Sequence, residues 1–83
     1  MMFYIYLLQS SKDKTFYIGQ TNNIEKRLKR HNNGFVRSTK NKTPWILIGW
    51  EECSNRDDAR WREYDLKEHS DKRRKFIDKL MLP

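Results

Sequence analysis

The sequence predicts an α+β fold: a small three-stranded antiparallel sheet flanked by about three helices, in the order β-β-α-β-α-α. Three observations predict it. Two short runs rich in aromatic and β-branched residues stand either side of a polar turn, the pattern of a hairpin. A third such run lies well downstream. Between and after these runs, apolar residues recur at helical spacing behind residues suited to capping.

The first strand is "FYIYLL", residues 3–8, followed by the turn "SSKDK" and the second strand "TFYIG", residues 15–19. Alternation sets Tyr4, Tyr6 and Leu8 on one face and Phe3, Ile5 and Leu7 on the other. Asn22 followed by Glu25 is a capping-box variant that opens a helix, and Gly34 in "NNG" suits its C-terminal cap. "FVRSTKNKTP" then reads as a cationic loop without periodicity. "WILIGWEEC", residues 45–53, is apolar up to Glu51, so it is expected to be central or well covered. Asn55 with Asp58 opens a second helix to about His69, and "SDKRRKFIDKLML" makes a shorter last helix held by Phe76, Ile77 and Leu80.

The chain has 83 residues and reads as one domain, 1–83, without repeat or linker. A domain near this size buries only about 60–65% of its unfolded surface, so its core is modest. Mean hydropathy is low, at −1.06. Aromatic residues nevertheless make up 13% of the chain, which argues for a folded interior beneath a charged exterior. Eighteen Lys and Arg against eleven Asp and Glu leave a net charge of +7. That balance favours a polyanionic partner, nucleic acid ahead of a membrane surface. No leader or membrane span is visible, and neither long helix pairs a basic face with a large apolar one. The single cysteine, Cys53, has no internal partner, which points to a reducing, cytoplasmic setting. With His31 and His69 it makes no zinc spacing.

Charges on the inward sides of two helices carry the functional question. Against Ile24, Arg27 lies about 60° away and His31 about 20° away, although Lys26, Lys29 and Arg30 already supply the outer face. On the second helix Glu63 falls between Ala59 and Leu66, while Trp61 faces outward. Asp65, Lys67 and Glu68 are placed for solvent. A charge turned toward a core is costly unless it is paired or holds an ion. Arg27 and Glu63 either bridge each other or share a cleft, where the guanidinium takes a phosphate and the carboxylate a divalent cation. Periodicity leaves both readings open.

With these residues in hand, the sequence resembles the GIY-YIG nuclease domain over nearly its whole length. "YIY" at 4–6 stands at the first triad and "YIG" at 17–19 is the second triad intact. "IEKRLKRHN" resembles the helix bearing the active-site arginine, at Arg27, and "ARWREYDLK" the helix bearing the metal-binding glutamate, at Glu63. The "HNNG", "VRSTK" and "PW" stretches are similar to short stand-alone bacterial members. The resemblance implies a DNA endonuclease, structure-selective or nonspecific, using one Mg²⁺ or Mn²⁺ held by Glu63. RNA stays open as a substrate. Arg27 would then stabilise the scissile phosphate, and Tyr6 and Tyr17 would flank the attacking water, one as general base. His31 would hold a phosphate or a tyrosine. Three positions depart from the pattern. Tyr4 replaces the first glycine, Gln20 stands where repair members often carry lysine, and no asparagine follows Asn55. The second function class is a nucleic-acid-binding module of the same fold with little or no cleavage.

The cations Lys26, Lys29, Arg30, Arg37, Lys40, Lys42, Arg73 and Arg74 are the candidate phosphate contacts. For "KRRK" at 72–75 a solvated helix face is an equal reading. Trp61 is the tryptophan best placed to stack on a base.

Overall fold

A computed structural model describes residues 2–82. β1 spans Phe3–Ser10 and β2 Phe16–Thr21; α1 follows at Ile24–Asn32. A short 3₁₀ turn at Lys40–Lys42 precedes β3 at Trp45–Cys53. α2 at Arg56–Glu68 and α3 at Ser70–Met81 complete the chain, so the predicted element order and antiparallel sheet are observed.

The sheet order is β2-β1-β3, with both pairs antiparallel. This corrects the expectation for β3, which is an edge strand and leaves Ile46 and Trp50 about half exposed. β1 takes the centre because it is apolar on both faces. Phe3, Ile5 and Leu7 meet Ile18, Ala59, Leu66 and Phe76 under α2 and α3. Tyr6 and Leu8 meet Trp45, with Tyr17, Leu28 and Leu47 against them, under α1. The two faces are those the alternation predicted. Between Leu7 and Leu8 the β3 register slips by one residue, a bulge that lets Ile48 join the first cluster and Leu47 the second.

Three local expectations are also corrected. The N-cap of α1 is Asn23, not Asn22: its side chain accepts the Lys26 N–H at 3.0 Å. The 35–44 segment contains the 3₁₀ turn and so is not wholly irregular. Asp65 is half-buried, because Lys72 of α3 and His69 fold over it as ion-pair partners. The α2 cap is as predicted, with Asn55 accepting the Asp58 N–H at 2.9 Å. Arg62 ties α2 to β3 through a two-pronged pair with Glu51, at 3.0 and 3.3 Å.

Candidate active site

The site begins with a close approach between two strands. Tyr6 lies opposite Gly19 in the β1–β2 register, and the Tyr6 ring folds over that glycine. A Cβ at Gly19 would land on the Tyr6 hydroxyl and come within 2.6 Å of Cζ. The glycine of the second triad is therefore the space in which Tyr6 lies.

α1 sets the opposite wall. At its C-terminus the Gly34 N–H reaches the His31 carbonyl at 3.1 Å, and the Phe35 N–H reaches that of Arg30 at 3.0 Å. This is a Schellman closure, and it uses Gly34 at φ +77. The helix so fixed turns His31 completely inward, at 0% exposure, as the periodicity predicted.

His31 joins β1 to the loop after α1. Its Nε2 is 2.8 Å from the Tyr6 hydroxyl and its Nδ1 is 2.8 Å from Thr39 Oγ1. Thr39 Oγ1 donates its own proton to the Val36 carbonyl at 3.3 Å, so it accepts from His31 Nδ1–H. That assigns the tautomer: Nε2 is bare and accepts the Tyr6 O–H. With that assignment the protons of the row run from Tyr6 to His31 to Thr39 to Val36. Burial, with Arg27 and Arg30 nearby, pushes the His31 pKa down to about 4, so the imidazole is neutral. Burial likewise pushes the Tyr6 phenol up to about 12.

Arg27 approaches the same hydroxyl, its Nε donating to Tyr6 at 3.4 Å, and this bond is the main reason its pKa is raised. The Tyr17 ring stands edge-on to His31, with centroids 5.0 Å apart, and lies 6.3 Å from Tyr6. Lys67 Nζ sits 5.3 Å over the Tyr17 ring and bonds Glu63 at 2.7 Å. No ion pair joins Arg27 to Glu63 among the described residues, since each takes another partner. The negative charge of Glu63 nevertheless reaches the centre and raises both Tyr6 and Arg27. Tyr6, Tyr17, Arg27 and His31 thus form one cluster, with Glu63 attached through Lys67.

The candidate phosphate contacts are distributed unevenly. Lys26, Lys29 and Arg30 line the exposed side of α1, with Lys29 paired to Glu25. Arg37, Lys40 and Lys42 lie in the loop that Thr39 anchors, and Lys42 faces Asp13 at 3.5 Å. Arg73 lines a cavity with Tyr17 and Lys67, whereas Arg74 is turned outward to Asp78. Sequence reasoning missed Thr39, Lys67 and the Asn32 side chain. Asn32 clamps the start of β3 by accepting the Trp45 N–H at 2.6 Å and donating to its carbonyl at 3.0 Å. Thr39 and Asn32 carried no periodic signal, because they act on residues brought near only by folding. Lys67, four residues after Glu63, carried the spacing of a helical ion pair.

One carboxylate stands at the point where a metal is implied, and no group of three or more His, Cys, Asp or Glu able to hold an ion occurs among the described residues. Glu63 is partly buried, at 22% side-chain exposure, and already carries an ammonium. This donor set fits a single hydrated hard cation, since Mg²⁺ keeps several waters beside one or two carboxylates. No described helix is long and apolar enough to cross a membrane.

Comparison with known proteins identifies the family. Residues 2–76 match the GIY-YIG catalytic domain. A UPF0213 protein of Clostridium perfringens is 43% identical over 67 residues, 80% of this chain and 71% of that one. Another, from Desulfotalea psychrophila, is 35% identical over 78 residues, 92% of this chain and 70% of that one. The solution NMR structure of a UPF0213 protein from Bacillus halodurans is similar in fold, with TM-score 0.57 and 26% identity. That match covers 96% of this chain and 85% of the other.

Proposed function

The chain belongs to the GIY-YIG catalytic domain family, and on that premise we propose that it is a divalent-metal-dependent endonuclease. It hydrolyses DNA phosphodiester bonds in a structure-selective or nonspecific way. The observation that carries the reading is the hydrogen-bonded row Tyr6–His31–Thr39, with Arg27 on the Tyr6 oxygen. A merely structural tyrosine needs one partner for its hydroxyl. This one has a donor on one side and a bare imidazole nitrogen on the other.

The row favours Tyr6 over Tyr17 as the base. At a pKa of about 12 a free tyrosinate is scarce near neutrality. Tyr6 avoids forming one by passing its own proton to His31 Nε2 as its oxygen takes the proton of the attacking water. Burial is the main cause that keeps His31 hard to protonate, and Arg27 adds to it; Arg27 binds the scissile phosphate, whose negative charge offsets that second contribution. Tyr17, edge-on to His31, orients the water. Glu63 would hold the single Mg²⁺ or Mn²⁺, releasing Lys67 toward the substrate. When bound, the ion would polarise a phosphoryl oxygen and stabilise the leaving oxygen. Lys26, Lys29, Arg30 and Arg73 supply the surrounding positive field, and the unpaired Cys53 supports a cytoplasmic, reducing setting.

The test is cleavage of labelled branched, nicked, single-stranded and duplex DNAs with Mg²⁺, Mn²⁺ or EDTA, by wild type and Glu63→Gln. Metal-dependent cutting by wild type alone is the expected result. Salt-sensitive binding without cutting would replace the endonuclease with a nucleic-acid-binding module, the reading that the Lys67–Glu63 pair and the neutral Gln20 would then explain.

A further inference from the structure

Trp61 and Tyr64 form an exposed aromatic stack on α2, with centroids 5.7 Å apart and planes 22° from parallel. They are 68% and 55% exposed, an unusual cost for two large aromatic rings on an otherwise charged helix face. Neither belongs to the two core clusters, so packing does not explain them. Tyr64 instead lines a cavity of about 340 Å³ together with Gln20, Arg60, Glu63, Lys67 and Glu68. Arg60 also borders a second cavity with Arg56, on the other side of Gln20. Arg60 makes no ion pair or side-chain hydrogen bond with any described residue. Tyr64, one ring of the stack, thus shares an opening with an unpaired guanidinium and the candidate metal carboxylate, and Trp61 extends the aromatic surface from it.

We infer that the Trp61–Tyr64 stack seats an unpaired nucleobase of a single-stranded DNA segment, with Arg60 on the adjoining phosphate, so that the strand runs past Glu63. This deepens the endonuclease reading by naming its substrate class. A base inside a duplex already has both faces stacked, whereas an unpaired base offers a free face to an aromatic ring. The surrounding charge selects the occupant: arginine beside an exposed ring fits a phosphate-linked base better than an apolar protein surface. Gln20, the β2 residue lining this opening, is neutral, so both cations of the opening, Arg60 and Lys67, come from α2.

The test measures affinity in EDTA, on the Glu63→Gln background, for a 12-nucleotide single strand and for the matching blunt duplex. Trp61→Ala and Tyr64→Ala should weaken single-strand binding roughly 5- to 150-fold and duplex binding less than about twofold. Trp61→Phe should recover most of the loss, and Arg60→Gln should lower the salt slope for the single strand by about 0.7. Both aromatic positions are exposed, so circular dichroism should confirm unchanged folding. Equal losses on both DNAs, or none, would overturn the inference. So would a dimer in sedimentation that Trp61→Ala dissolves without changing DNA affinity, since the stack would then seat a second copy. The two readings fail separately. Selective single-strand binding by a protein that never cuts keeps the platform and removes the endonuclease. Metal-dependent cutting of single strands that Trp61→Ala leaves unchanged does the reverse.

Discussion

Lowering the pH should destabilise this protein through one buried imidazole before Asp13 and Asp65 contribute. The unfolded His31 ring takes up a proton near 6.5 and the folded ring only near 4. Between those values the unfolded chain binds more protons, so falling pH favours unfolding. The contribution is whole above 6.5 and gone below about 4. A displacement of that size corresponds to about 3 kcal/mol, at about 1.4 kcal/mol for each tenfold change in proton affinity. For a domain this small, whose whole stability is about 4–12 kcal/mol, that is a large share. The groups facing the ring are Tyr6 and Thr39 by hydrogen bond, Tyr17 by its edge, and Arg27 and Arg30 by charge. None of them is an acid that would stabilise an imidazolium in this range. Asp13 and Asp65 are held below the usual carboxylate range, by Thr15 and by Lys72 respectively, so their losses begin only below about 4. The assay is urea unfolding of wild type and His31→Gln at several pH values across this window. Glutamine keeps one acceptor for Tyr6 and one donor for Thr39 but does not titrate. Wild type should lose about 3 kcal/mol relative to the variant between pH 6.5 and 4. Parallel curves for the two proteins would refute the buried neutral imidazole and the proton row built on it.

Other perturbations have equally definite outcomes. Gly19→Ala forces a Cβ to within 2.6 Å of Tyr6 Cζ, so Tyr6 has to move and its bond to His31 is lost. Overpacking of this kind costs about 1–3 kcal/mol, read as a fall in Tm of about 4–8 °C per kcal/mol, and in a Tyr6→Leu background most of that cost should vanish. Thr39→Val removes the acceptor of His31 Nδ1–H and leaves a buried donor unpaired, at about 1–3 kcal/mol. Nitrogen chemical shifts of the imidazole should show the tautomer change. Leu66→Ala opens a cavity beneath α2 at a site with 0% exposure, and should cost about 2–5 kcal/mol in chemical denaturation while leaving the His31 titration in place.

Much of this was legible from residue order because it is local. The alternation of β1 fixes which residues face each layer, and the helical period fixes that His31 and Glu63 point inward. The capping pair Asn55–Asp58 and the glycine at 34 mark helix ends through their own hydrogen bonds. The two triads and the R-x-x-x-H spacing carried the family by the same short-range logic. What periodicity left undecided was the pairing of the inward charges. Arg27 goes to Tyr6 and Glu63 to Lys67, so the bridge between them that the pattern allowed does not form.

The amino-acid sequence by itself determined the elements, their inward faces and the polyanion-seeking charge, because each follows from neighbours a few residues apart. The tertiary structure alone decided which strand is central, since that depends on two layers competing for one sheet. It alone brought Thr39 behind His31 and gave the proton row its direction, through contacts spanning 25 and 8 residues that no local pattern encodes. It also set Gln20 of β2 against Arg60, Glu63 and Tyr64, closing an opening whose α2 residues helical spacing had already put together.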